Sequence, residues 1–336
     1  MIAQINKAYL KLRWGRIYSR FLSYLFFEGR PVTTRGRWIN PLVFFLFWLW
    51  KTLPQLKKVK RPTFIIGTGR SGTTVLGIVL SAHRHVGFLN EPKAIWHSVF
   101  GKEDIIGSYS MGEAGYRLHE ADGDDSIARK LRRIFGAYLR FSFNRVVLDK
   151  YPEMAFRVPF IKRVLPDARF IFIARNGWNT IHSISRWSEI HGNQQPADAE
   201  EETHDWWGVN DRKWTLMVDE LVAADDALAA HQEEIRGFED HKYRAAVEWI
   251  LTMKEGLRFR ESGDEDIYFL RYEDLTEDTP ATIDHLVEFM GLQRDPQLDA
   301  YAVETLRPNK PKEAIDLPAS IAAEFDKTMR ALGYED

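Results

Sequence analysis

The 336-residue chain contains no cysteine, which excludes disulfides, thiolate nucleophiles and thiolate metal ligands. That absence is compatible with a cytoplasmic setting. HExxH and other zinc-ligand spacings are missing too, so no metal site is expected. Long apolar runs are also absent. The most apolar stretch, Pro41 to Trp50 (PLVFFLFWLW), has about half the ~20 residues that a bilayer-spanning helix needs. It begins past residue 40 and has no small-residue cleavage site, a poor fit to a secretory signal. No internal repeat is visible.

Net charge is small, −2, but it is unevenly placed. Residues 1–62 hold 13 Lys/Arg against the single acid Glu28, a net of +12; the remainder carries 33 basic and 47 acidic residues, a net of −14. The same 62 residues hold 13 of the 44 aromatics. Residues 1–60 therefore read as an extension, distinct from a catalytic domain over 61–336. Trp38, Phe44, Phe45, Phe47, Trp48 and Trp50 would suit an in-plane lipid anchor. Arg35, Arg37, Lys51, Lys57, Lys58 and Lys60 would face anionic lipid. Upstream, Ile5 to Phe27 mixes aromatics with Lys7, Lys11, Arg13, Arg16 and Arg20. The competing reading is a helical hairpin packed on the core or on a partner subunit. Nucleic acid is not expected, because bulky aliphatics rather than lone stacking aromatics accompany the charge.

The densest chemistry lies in Arg61 to Ser81, RPTFIIGTGRSGTTVLGIVLS. A β-branched and aromatic run, Thr63 to Ile66, enters a glycine-rich turn, and an apolar helical pattern leaves it from Thr74. Strand, glycine loop and helix form a phosphate cradle. Backbone N–H groups converge there, and the helix N-terminus adds about half a positive charge. Gly67, Gly69 and Gly72 permit the close approach, and Thr68, Ser71, Thr73 and Thr74 add hydroxyls. The nucleotide-triphosphate loop GxxxxGK[ST] requires lysine where this chain has Thr73. Positive charge comes instead from Arg70, which can neutralise an anion without a metal. The loop thus suits a donor with a 5′-phosphate and a second anionic group. The bland alternative is a glycine turn that binds nothing.

A second segment, Ala168 to Ala174 (ARFIFIA), reads as a buried parallel strand. It ends in Arg175 and Asn176, and Ser183 follows eight residues after that arginine. With a helix starting near Trp178, Arg175 and Ser183 would sit at a strand's carboxyl end, where open parallel sheets bind ligands. Taken alone, they could equally be a salt-bridge partner and a packed hydroxyl.

Together these segments resemble the sulfotransferase family, whose donor is 3′-phosphoadenosine 5′-phosphosulfate (PAPS). GTGRSGTT, Gly67 to Thr74, is similar to the family's 5′-phosphosulfate loop, and RNGWNTIHS, Arg175 to Ser183, to its 3′-phosphate element. Leu148 to Arg175 resembles the K-[ST]-P segment with its following helix and strand, and LRYEDL, Leu270 to Leu275, a late strand-and-loop signature. Asn176-Gly177 departs from the usual Asp-Pro. Tyr151 replaces a small hydroxyl residue, a change that could alter the acceptor side. The resemblance spans Arg61 to about Leu292. It implies an α/β P-loop-type three-layer fold, with a central parallel sheet flanked by helices and the helical basic/aromatic extension in front. It also implies in-line sulfuryl transfer from PAPS to a hydroxyl without a metal.

By the same resemblance, Arg70 and the loop amides hold the phosphosulfate and Lys150 reaches the transferring group. Glu91, in FLNEPKAIWH, sits where carbohydrate- and tyrosine-directed relatives carry a catalytic glutamate. Small-molecule-directed relatives use a histidine, for which His97 is the best alternative. His83 and His85 fit a helix C-terminus, and His182 packing beneath the 3′-phosphate element. The polar stretch Ser188 to Val209 suggests a lid whose Trp206 and Trp207 line the acceptor pocket, or a solvated insertion. Helices are expected over Asp124 to Leu139, Asp211 to Gln232, Tyr243 to Phe259 and Pro280 to Met290, the last capped by Thr279. Arg307 or Lys310 could assist the 3′-phosphate. The glutamate base and lipid-facing arm point to a carbohydrate, lipid or other amphiphilic acceptor at the cytoplasmic membrane face, with oligomeric state open. The alternatives are a P-loop kinase or NTPase-like phosphotransferase using Asp149 for magnesium, and a non-catalytic peripheral membrane protein.

Overall fold

The computed structural model describes residues 4–32, 34–192, 204–310 and 312–334. Its centre is a parallel five-stranded sheet. Strands β1 (Thr63–Gly67), β2 (Val86–Asn90), β3 (Val146–Lys150), β4 (Arg169–Ala174) and β7 (Ile267–Arg271) lie in the order β2-β3-β1-β4-β7. The short strands β5 (His204–Asp205) and β6 (Gly208–Val209) form a separate hairpin. The central strands are near-continuous apolar runs because helices cover both faces. Alternation still sorts their side chains. Phe64, Ile66, Phe170 and Phe172 enter one core, while Ile65, Ile171 and Ile173 enter the other. The glycine loop follows β1, between β3 and β4, so the three strand ends open onto one space.

Helices α1 (Trp14–Phe26) and α2 (Asn40–Thr52) form the extension, followed by α3 (Thr73–Leu80), α4 (Lys93–Val99) and α5 (Asp125–Phe141). Much of the extension is packed on the catalytic core. Helix α1 lies against β2, and α2 against α4 and α5. Phe27, Val43 and Phe47 are buried in the main core. This changes the expected lipid-facing set. Phe44 packs on His97 and Tyr109, and Trp50 on Phe141. Lys51 donates to the Ser98 carbonyl at 2.7 Å. Arg16 donates to the carbonyls of His83 and Val86, and Arg20 is ion-paired with Glu28 in the interior. Their long side chains reach core acceptors that no local pattern announces. Trp38, Phe45 and Trp48 remain exposed.

Several elements differ from the sequence reading. The expected helix Asp211 to Gln232 is broken. It runs as Arg212–Met217, widens into a π turn at Val218–Val222, and resumes at Gln232–Arg236. Asp225 turns the chain between them by accepting from the N–H groups of Ala227 and Leu228. In the helix Thr279–Phe289 the cap is Asp278, which accepts from Ala281 N at 3.3 Å; the Thr279 hydroxyl instead donates to the Leu275 carbonyl. Burial lowers His83 and His85, the latter to about 4, and His83 contacts the Gln293 carbonyl at 2.9 Å just past α3.

The Arg20–Glu28 pair ties the extension to the site, because Glu28 also accepts from Asn90 N at 2.8 Å, one residue before Glu91. Arg20→Met leaves that carboxylate buried and unpaired, and should cost about 3–5 kcal/mol in a urea titration. Adding Glu28→Leu should recover much of the loss. A double variant no more stable than the single would sink this reading of the anchor.

Candidate active site

One cavity of about 920 Å³ opens at the carboxyl ends of β1, β3 and β4. Arg70, Glu91, Lys150, Arg175 and Ser183 all line it. The loop that carries Arg70 is folded tightly. Gly72 takes φ 98°, and a Cβ there would strike the Tyr272 ring at 2.3 Å. A Cβ on Gly69 would meet Trp206 at 2.5 Å. The two rings press on the loop from either side, so both positions need glycine for space. Arg70 itself sits at φ 67°, an uncommon conformation for a residue with a side chain.

Arg175 donates to the Arg70 carbonyl at 2.7 Å, and Arg70 Nε donates to the Ser183 hydroxyl at 3.1 Å. The two segments, a hundred residues apart in sequence, are therefore locked together. The Arg175 guanidinium stands 4.9 Å from the Tyr272 ring centroid. Its buried Nε has no partner, and neither does the Thr68 hydroxyl, among the described residues. Arg70 is pulled below its ordinary value by burial and by Arg175. Neither arginine forms an ion pair among the described residues. Unpaired donors, two adjacent guanidiniums and a glycine cradle fit a polyanionic nucleotide.

Opposite them, Glu91 leaves the end of β2 at φ 48°. Its N–H is fixed by the Lys150 carbonyl at 2.7 Å, and its carboxylate pairs with the Lys150 ammonium. Lys93 lies 3.6 Å from the same carboxylate and 3.5 Å from Glu153. Lys213 lies 3.8 Å from Glu153 and 2.7 Å from Glu248. Glu248 in turn accepts from the Trp206 indole at 2.6 Å. Burial alone would raise the Glu91 carboxyl. Lys150 and Lys93 outweigh that and hold it at about 2.

Other sequence candidates lie elsewhere. His97 packs between Phe44 and Tyr109 and does not line the cavity. Tyr151 is buried, donating its hydroxyl to Glu103 at 2.9 Å, and does not line the cavity. His182 contacts the Glu313 carbonyl at 3.0 Å. Trp206 lines the cavity, but Trp207 is buried against Trp214 and His241. The expected lid partly falls outside the description, since residues 193–203 are not among the described ones. Arg307 folds back onto the Val303 and Leu306 carbonyls at the end of the preceding helix, and among the described residues of that loop Asn309 lines the cavity. Asp149 is fully buried and accepts from the Trp96 indole at 2.9 Å. It faces the core rather than the cavity, so the kinase alternative loses its magnesium ligand.

Lys93, Glu153, Lys213, Glu248, Trp187 and Tyr272 were not singled out by the sequence. Lys93, two residues past Glu91, Glu153, inside Leu148 to Arg175, and Tyr272, inside LRYEDL, carried a local signal.

A model of the sulfotransferase family matches residues 62–236, more than half of the chain. The chain belongs to the sulfotransferase family and is a sulfotransferase. Among solved structures it is similar to the sulfotransferase domain of the Synechococcus PCC 7002 olefin synthase, at 16% identity and TM-score 0.48, covering 84% of this chain and 98% of that one. It is also similar to sulfotransferase STF1 of Mycobacterium tuberculosis H37Rv, at 17% identity and TM-score 0.46, covering 85% of each chain. Mouse sulfotransferase SULT7A1 complexed with PAP aligns at 13% identity and TM-score 0.36, covering 87% of this chain and 83% of that one. No curated protein sequence matches significantly.

Asp149 gives a pH test of the site's underlying wall. Burial outweighs its hydrogen bond from Trp96 and the charge of nearby Lys150 and pushes its carboxyl up to about 8. The folded state therefore keeps a proton that the unfolded chain releases near pH 4, and stability falls as pH rises from there through about 8. Asp149→Asn keeps an acceptor for Trp96 and removes this titration. Its urea midpoint should fall less than the parent's between pH 6 and 9; equal falls would refute the assignment.

Proposed function

We propose that this protein transfers the sulfuryl group of PAPS to a hydroxyl of a carbohydrate, lipid or other amphiphilic acceptor, with Glu91 as base. The observation that carries the reading is the pairing of Glu91 with Lys150 across the cavity from two unpaired arginines. The loop from Gly67 to Thr74 would hold the 5′-phosphosulfate. Arg175 and Ser183 would hold the 3′-phosphate, and the Tyr272 ring would order Arg175 beneath it. PAPS supplies the sulfuryl group and leaves as adenosine 3′,5′-bisphosphate (PAP).

In the free protein Glu91 is a weak base, because a carboxylate held at about 2 has little affinity for a proton. Its competence depends on Lys150. Once the Lys150 ammonium turns towards the anionic donor, Glu91 loses its strongest partner and its proton affinity rises. Lys93 remains to orient the carboxylate. Arg70 and Lys150 then stabilise charge around the transferring group while Glu91 takes the acceptor proton.

Thermal stabilisation by PAP, set beside AMP, ADP and Mg-ATP, tests the donor. A ligand at a hundred times its Kd adds about 2.7 kcal/mol. Arg175→Ala should weaken PAP far more than AMP, which lacks the 3′-phosphate. Glu91→Gln should retain PAP binding while sulfuryl transfer falls about a hundredfold or more. Stabilisation by Mg-ATP alone, or unchanged turnover in Glu91→Gln, would overturn the reading.

The division into an extension over 1–60 and a catalytic domain over 61–336 serves a second proposed role, peripheral contact with the cytoplasmic membrane face. No helix among the described residues is long and apolar enough to cross a membrane. Leu42, Phe45 and Trp48 are exposed at helical spacing along α2, and Trp38 is exposed in the turn just before it. Arg35, Lys58 and Lys60 are exposed nearby in sequence, which suits an anionic lipid surface. The protein should sediment with phosphatidylserine-containing vesicles, and Phe45→Glu with Trp48→Glu should abolish this. Unchanged sedimentation would exclude this face.

A further inference from the structure

The cations lining the cavity fall into two groups. Lys93, Lys150 and Lys213 are each matched to a glutamate in the chain that joins Glu91, Glu153 and Glu248. Arg70 and Arg175 are unmatched, and the donor reading accounts for both. One further arginine, Arg30, lines the same cavity. It comes from the N-terminal extension, before the family-matched segment begins at residue 62.

Arg30 is only 4% exposed. Its guanidinium lies 3.7 Å from the Tyr24 ring centroid, and Nη1 donates to the neighbouring Gly29 carbonyl at 2.7 Å. Among the described residues it forms no ion pair. The nearest acid in sequence, Glu28, is already committed to Arg20 and to Asn90 N. Stacking on tyrosine fixes the guanidinium plane while leaving donors at the cavity edge. The backbone is fixed as well: Arg30 N donates to Asn40 Oδ1 at 2.8 Å, and Asn40 Nδ2 donates to the Arg30 carbonyl at 2.8 Å. A buried, positioned and unpaired cation is costly unless an anion completes it.

We infer that Arg30, held on Tyr24, recognises a carboxylate or phosphate on the acceptor, so that the acceptor is an anionic alcohol and the N-terminal extension selects it. This inference rests on the sulfotransferase reading and narrows its acceptor class. Arg30 is a specificity residue here; it takes no part in the proposed proton transfer.

The test measures probe binding to the PAP-saturated protein, so that no turnover is needed. Para-nitrophenyl glucuronide is compared with para-nitrophenyl glucoside, and glucose 6-phosphate with glucose. The first pair tests a carboxylate, the second a phosphate. The protein should bind at least one anionic probe roughly tenfold to a hundredfold more tightly than its neutral partner. Arg30→Gln should erase that preference while leaving neutral-probe and PAP binding unchanged, and Arg30→Lys should restore part of it. No preference in the parent protein, or a preference that survives Arg30→Gln, overturns the inference. A fall in PAP affinity in Arg30→Gln also overturns it, by making Arg30 a donor residue. Absence of PAP binding to the parent protein would instead count against the donor assignment.

Discussion

The site depends on a chain of alternating charges, buried except at Glu91, which is partly exposed. From Lys150 it runs through Glu91, Lys93, Glu153 and Lys213 to Glu248, and ends at the Trp206 indole. No member could be buried alone, since an isolated ion in a protein interior costs several kcal/mol. Each is tolerable because its neighbours are present. The chain therefore holds strand ends, α4, the β5–β6 hairpin and the helix His241–Ser262 in one arrangement. Three lysines alternate with three glutamates, so removing any one of them leaves one net charge uncompensated.

That arrangement has a chemical consequence. The lysines that order Glu91 also hold its carboxyl well below the usual carboxylate range. The arginines across the cavity have the opposite character, with guanidiniums that no acid neutralises. The resting site is thus poised: one wall is internally satisfied and the other wants an anion. Filling the second wall would draw Lys150 away from the first. In the proposed mechanism, donor binding and activation of Glu91 as base are linked through one ammonium group.

The N-terminal extension is part of this construction rather than an addition to it. Its buried half reaches the site through Arg20 and Glu28, which brace the backbone beside Glu91. Tyr24 and Arg30 form cavity wall. Its outer half, with Trp38, Phe45 and Trp48, stays exposed. One sequence segment thus divides its aromatics between a core and a surface according to which side of α2 they occupy.

Local sequence determined the parts whose chemistry is local. The loop Gly67 to Thr74, the strand ending at Arg175 and the serine eight residues later were legible because glycine conformation, strand burial and short spacings act over a few residues. Glu91 and Lys150 were legible through resemblance to a family. Tertiary structure alone decided what paired with them. Lys213 and Glu248 lie more than a hundred residues from Glu91, and Arg30 sixty before it, with no periodicity to connect them. The break in the helix expected over Asp211 to Gln232, and the burial of Phe47 beside exposed Phe45 and Trp48, were likewise set by contacts between distant segments. Burial and pairing of charge are properties of a neighbourhood, and the neighbourhood exists only once the chain has folded.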